Sequence, residues 1–87
     1  MTPKILIQRK FRSRWSDVQL LVMLCLAEDY LSAFAELVKT TGASETGVWN
    51  ALAAIETQEC LDRFEIEGKT YYHLSEKGRA SLHGILS

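Results

Sequence analysis

The side chains able to engage a charged partner are unevenly distributed along this chain. Residues 1–14 hold Lys4, Arg9, Lys10, Arg12 and Arg14 and no acid, a local charge of +5, whereas the remainder holds five bases and eleven acids, a charge of −6. The formal net charge of −1 over 87 residues therefore conceals a basic arm on an acidic body, and a basic arm of this kind suits phosphate. Other chemistries find little support. His73 and His83 stand ten residues apart, Cys60 has no His at a recognised nucleophile–base spacing, and there is no glycine-rich phosphate loop. Cys25 and Cys60 are too few for a four-ligand zinc site or a disulfide framework and read as small core residues in a reducing compartment. No catalytic residue, cofactor or metal is expected. His73 reads as a residue lining a hairpin, and the acid pairs Glu28-Asp29 and Glu65 with Glu67 read as solvated surface.

The elements that must position these groups follow from composition and periodicity. With 47% apolar and 24% charged residues, one Pro and five Gly, the chain is a single small folded domain. Its longest apolar run, Leu20 to Ala27, is eight residues, whereas a membrane span needs about 20. That run leads into Glu28-Asp29 and not into the small residues that close a signal peptide, so cytoplasmic residence is expected. Lys4 to Phe11 forms an arm or a strand. A first helix begins at Ser16, with Gln19 at capping-box spacing, and runs to about Ala27. Its apolar residues lie nearly all round, so a second subunit is expected to help cover it. Ser32 caps a second helix to about Thr40, with Phe34, Leu37 and Val38 on one stripe and Gly42 in a left-handed end. Ser44 caps a third helix whose inner face is Val48, Ala51, Leu52 and Ile55. Beyond Leu61 the period changes to 2, with Phe64 and Ile66 alternating with charge and a turn at Gly68-Lys69, giving a β-hairpin. Ser75 caps a last helix through about Leu86, with Ala80, Leu82 and Ile85 inward and Lys77 and Arg79 outward.

The second and third helices, joined through Gly42, form a helix-turn-helix unit. The order of elements, with particular residues, resembles the winged helix-turn-helix domain of MarR-, PadR- and ArsR-like bacterial and archaeal transcription regulators. The segment Tyr71-Tyr72-His73-Leu74-Ser75-Glu76-Lys77-Gly78-Arg79 is similar to the second wing strand and following helix start of those families. Ser44-Glu45-Thr46-Gly47-Val48, leading to Leu52, Ile55 and Glu56, is similar to their recognition helix. The resemblance covers residues 16–82. One departure is Glu59-Cys60-Leu61, where such helices commonly end in Gly-Leu-Val or Gly-Leu-Ile; lacking Gly, the exit must strain Gln58 or Glu59 or wind differently. The resemblance implies a mainly α fold with a small β-hairpin wing, a basic arm over residues 1–15 and a winged helix-turn-helix domain over 16–87.

It also implies that helix 44–59 enters a DNA major groove, with wing 62–74 on the backbone or minor groove. The outward stripe is then Thr46, Trp49, Asn50, Ala53 and Thr57, opposite Val48 and Leu52. Asn50 is the candidate adenine reader, while Ser44 and Thr46 suit phosphates or a thymine methyl. Trp49 packs on sugar or base methyls, buries itself in a partner, or turns into the core. No Lys or Arg lies between Lys39 and Arg63, so phosphate contact falls to the amides near Ser44, to Lys39, Thr41, Arg63, Lys69, Lys77 and Arg79, and above all to Arg9, Lys10, Arg12 and Arg14. The arm could instead keep the acidic body soluble or add a strand to a partner subunit through Ile5 and Ile7. The function expected is sequence-specific duplex-DNA binding by a small dimeric regulator, a repressor, with a homodimer formed through helix 16–27. The alternative is a protein-interaction module docking through Trp49 and the acidic third helix.

Overall fold

The computed structural model describes residues 15–29 and 31–86; the arm residues Arg9, Lys10, Arg12 and Arg14 and the segment Lys4 to Phe11 lie outside them. The elements run α1 (Asp17–Glu28), β1 (Ser32–Ala33), α2 (Phe34–Thr41), α3 (Glu45–Thr57), β2 (Leu61–Ile66), β3 (Lys69–Leu74) and α4 (Glu76–Leu86). A three-stranded antiparallel sheet has the order β1-β3-β2. None of these helices is long and apolar enough to cross a membrane.

The expected capping box opens α1, with Gln19 N–H donating to Ser16 Oγ at 3.1 Å and Ser16 N–H donating to Gln19 Oε1 at 3.0 Å. Its apolar circumference is explained largely within the chain, because α1 packs against α2, α3, α4 and β3. Leu20, Val22, Met23 and Leu26 are buried, while Val18, Leu21, Leu24 and Cys25 form a half-buried outer stripe. The core joins them to Leu37 of α2, Val48, Ala51, Leu52 and Ile55 of α3, Leu61, Tyr72 and Leu74 of the sheet, and Leu82 and Ile85 of α4. Trp15, which the sequence places in the arm, belongs to this core.

Three local readings change. Ser32 does not cap α2: it pairs with Tyr72 in β1, with 2% of its surface exposed. The α2 start is held instead by Glu36, whose carboxylate accepts from Ala33 N–H at 3.1 Å. A sheet partner from far along the chain thus overrides a favourable local cap. The wing turn is Glu67-Gly68, both at positive φ (52° and 79°), and Lys69 already lies in β3. Two left-handed residues in succession match the twist of a two-residue hairpin. In α4, Leu82 and Ile85 are buried as expected but Ala80 is exposed.

Candidate nucleic-acid interface

The turn between α2 and α3 is set by three residues. Gly42, at φ 73°, ends α2 and donates to Val38 O at 3.1 Å. Only a residue without a Cβ takes this conformation without strain. Thr41 Oγ1 donates to Leu37 O at 2.7 Å and accepts from Ala43 N–H at 3.2 Å. Its single hydroxyl proton is thereby committed to the turn, so Thr41, a candidate phosphate contact, serves here as a clamp. Ser44 caps α3 by accepting from Gly47 N–H at 3.0 Å, which leaves its own O–H to donate outward.

With Val48, Ala51, Leu52 and Ile55 buried, α3 turns Thr46, Trp49, Asn50, Ala53 and Thr57 to the exposed side. Trp49 is 58% exposed, which excludes the rotated helix that would bury it. It is nonetheless held: the Phe34 ring meets it edge-on, with centroids 5.6 Å apart and planes at 79°. Between α3 and the base of the wing lies a cavity of about 90 Å³, bounded by Trp49, Leu52 and Ala53 on the helix and Leu61 and Tyr72 on the sheet, with Glu56 and Arg63 also lining it.

The absence of Gly at the end of α3 is resolved by Glu59, which takes φ 62°. Cys60 N–H donates to Ile55 O at 3.1 Å and Glu59 N–H to Glu56 O at 2.9 Å, the two bonds of a Schellman ending with a non-glycine residue in the left-handed position. Ser75 ties this exit to α4. Its hydroxyl donates to Glu59 O at 2.8 Å, its Oγ accepts from Gly78 N–H at 3.0 Å, and its N–H donates to Cys60 O at 3.0 Å.

The wing projects beyond the core, leaving Phe64 44% and Ile66 49% exposed. Phe64 stacks on His73 at 4.7 Å, and His73 Nε2 lies 3.5 Å from Asp62, its cross-strand neighbour. The described cations are unequal in their ties. Arg63 Nε pairs with Glu56 at 2.8 Å, drawing it toward α3. Lys77 lies 3.7 Å from Glu59, and Lys69 Nζ sits 5.6 Å from the Tyr71 ring centroid. Lys39 is exposed in the last turn of α2 and Arg79 is exposed on α4. The structure thus brings Ser44, Thr46, Trp49, Asn50 and Arg63 onto α3 and the adjoining wing. Lys69 lies at the far end of the wing, beside its turn, and Lys39 belongs to the preceding helix. The Phe34 edge contact and the Glu56–Arg63 pair were missed in the sequence, for both depend on how separate elements pack.

Burial pushes the Cys25 thiol above its ordinary range, with Glu28 and Asp29 adding to the effect. Such a group stays protonated and is a poor nucleophile near neutrality. Among the described residues no cluster of His, Cys, Asp and Glu could hold a metal ion.

No protein-family model matches the sequence, and no curated protein matches it significantly. Solved structures do. BpsR of Bordetella bronchiseptica, whose DNA binding is regulated by 6-hydroxynicotinic acid, aligns at 17% identity over 94% of this chain and 61% of its own, with a TM-score of 0.83. A MarR-family transcriptional regulator from Silicibacter pomeroyi aligns at 12% identity over 94% and 57%, with a TM-score of 0.84. The adhesin competence repressor AdcR of Streptococcus pyogenes aligns at 17% identity over 95% and 63%, with a TM-score of 0.77. The chain spans about three fifths of the length of these proteins. Four helices and a three-stranded sheet with a projecting hairpin, superposing on these regulators at such low identity, give this chain the winged-helix fold of MarR-family transcription regulators.

Proposed function

We propose that this chain is a sequence-specific duplex-DNA-binding domain of a small dimeric transcription regulator acting as a repressor. The observation that carries the reading is the exposed α3 stripe: Thr46 and Asn50 present a hydroxyl and an amide on the second helix of a helix-turn-helix, while the Thr57 hydroxyl donates to Ala53 O at 2.9 Å. In this fold that helix is the one offered to a major groove. Asn50 pairs in two places with adenine. Ser44 O–H and the first amides of α3 meet a phosphate, Lys69 touches the backbone from the wing, and Lys39 adds attraction from α2. Because α3 carries Glu45 and Glu56 and no base, most of the electrostatic affinity falls to Arg9, Lys10, Arg12 and Arg14.

A second copy joined along the outer stripe of α1, Val18, Leu21, Leu24 and Cys25, presents two α3 helices to half-sites about 34–36 Å apart. Similarity to a protein named as a repressor supports the direction of control.

The test is selection of bound duplexes from a random pool by the full chain, with an arm-deleted variant lacking residues 1–14 and Asn50→Ala beside it. The reading expects one enriched motif, a steep fall of affinity with salt that flattens on deleting the arm, and loss of an adenine preference in Asn50→Ala. Absence of any enriched motif refutes it. Sedimentation of the full chain, with Leu21→Glu as the disrupting variant, tests the dimer.

A further inference from the structure

Trp49 joins two properties: it is 58% exposed, and its ring makes a T-shaped contact with Phe34, centroids 5.6 Å apart. An exposed indole offers a large amphipathic surface to a partner, and a ring already packed on a neighbour loses less conformational freedom when that partner arrives. Its neighbours on the exposed side are Glu45, Thr46, Asn50 and Ala53. No cation is among them, so guanine lacks on this helix the Arg or Lys that most often reads it. Of the acids on α3 that could accept from cytosine, Glu56 is turned to Arg63 at 2.8 Å, and Glu45 stands in the first turn, one turn before Trp49. What the face offers is an amide for adenine beside apolar surface, and the apolar mark in a major groove is the C5-methyl of thymine.

We infer that Trp49 is a specificity-determining residue that packs on the C5-methyl of a thymine next to the adenine paired by Asn50, with Phe34 as its positioning residue. This rests on the DNA-binding reading above. The step under Asn50 and Trp49 is therefore A·T, and affinity there depends on a methyl group as well as on hydrogen bonds.

The experiment replaces each thymine of a selected duplex, one at a time, by deoxyuridine, which removes the methyl and nothing else. The full chain should show one thymine per half-site where the replacement weakens binding about fourfold, the value of one buried methyl-sized group. Trp49→Ala should bind the thymine and uracil duplexes equally, and Phe34→Leu should shrink the ratio while leaving the adenine preference of Asn50 in place. Both variants are checked by thermal melting, since Phe34 also packs against the core. A selected duplex whose thymines are all replaceable overturns the inference, as does a uracil penalty that persists in Trp49→Ala or a motif with cytosine or guanine at this step. A chain that selects no duplex instead overturns the DNA-binding reading, a distinguishable result.

Discussion

The Ser75 hydroxyl donates to the Glu59 carbonyl oxygen at 2.8 Å while accepting from Gly78 N–H at 3.0 Å. One side chain thereby satisfies the exit of α3 and the start of α4, and the hairpin is rooted between them at Leu61 and Leu74. The orientation of the wing against α3 is thus held at its base, since the tip touches no core. Ser75→Ala removes both bonds, and the expected loss is about 1–2 kcal/mol. Ser16→Ala, which loses the capping bond of α1 alone, should lose about 1 kcal/mol. Chemical denaturation of the two variants checks the difference; equal losses would show that the tie to Glu59 contributes nothing.

Gly78 is required by close approach and not by backbone conformation. A Cβ there would run into the Cys60 carbonyl oxygen, the acceptor of Ser75 N–H at 3.0 Å, and a backbone group in that position has little room to move. Gly78→Ala should destabilise by about 1–3 kcal/mol, as overpacking does. Gly84 lies in the same helix, and a Cβ added there would meet nothing within 4 Å, so Gly84→Ala should instead stabilise by about 0.5–1 kcal/mol. Opposite signs in thermal melts are the expected result, and a shared sign would refute the steric account.

Glu59 occupies the left-handed position at the end of α3 with φ 62°. A residue with a Cβ is strained there by about 1 kcal/mol, and the ion pair it forms with Lys77 at 3.7 Å, 82% exposed on the Glu59 side, offsets little of this. Glu59→Gly should raise stability by about 0.5–1 kcal/mol, part of the gain being lost to the greater freedom of glycine in the unfolded chain. Equilibrium denaturation decides it, and a lowered midpoint would place the Lys77 pair above the backbone term.

Local signals in the sequence were sufficient wherever local bonds decide. Ser16 with Gln19, Gly42, Ser44, and Ser75 as the cap of α4 each act there within a few residues of themselves, and the missing glycine near Glu59 pointed to a strained exit because that geometry is set by one φ angle; the bond from Ser75 to Glu59, sixteen residues back, had no such local signal. Ser32 misled because its local pattern is a good cap, whereas its place is decided by pairing with Tyr72, forty residues on. The turn misled by one residue, since Gly68 fits either position of a hairpin and only the register Ile66 with Lys69 distinguishes them. For the interface, the 3.6-residue period was enough to place Trp49 and Asn50 outward. Nothing in the period could supply Phe34 against Trp49 or Glu56 on Arg63, which arise from the angle between α2 and α3 and from the way the wing returns toward α3.

Arg63 bears on how the proposed interface divides its work. Its Nε lies 2.8 Å from Glu56, with the two side chains 56% and 43% exposed, so the pair adds at most a few tenths of a kcal/mol to about 1 kcal/mol of stability. Its consequence lies in binding: a guanidinium held by a carboxylate has its attraction for phosphate opposed at the site. Glu56→Gln keeps the side-chain shape and removes that charge. It should strengthen binding to random-sequence DNA and steepen the salt dependence by about one phosphate contact, a change near 0.9 in the slope of log affinity against log salt. Arg63→Ala made in the native chain should shift the slope by less than the same change made beside Glu56→Gln. If the two backgrounds respond alike, the pair is broken in the complex and Glu56 restrains nothing; if they differ, the acid on α3 suppresses non-specific attraction, which leaves discrimination to Asn50 and Trp49.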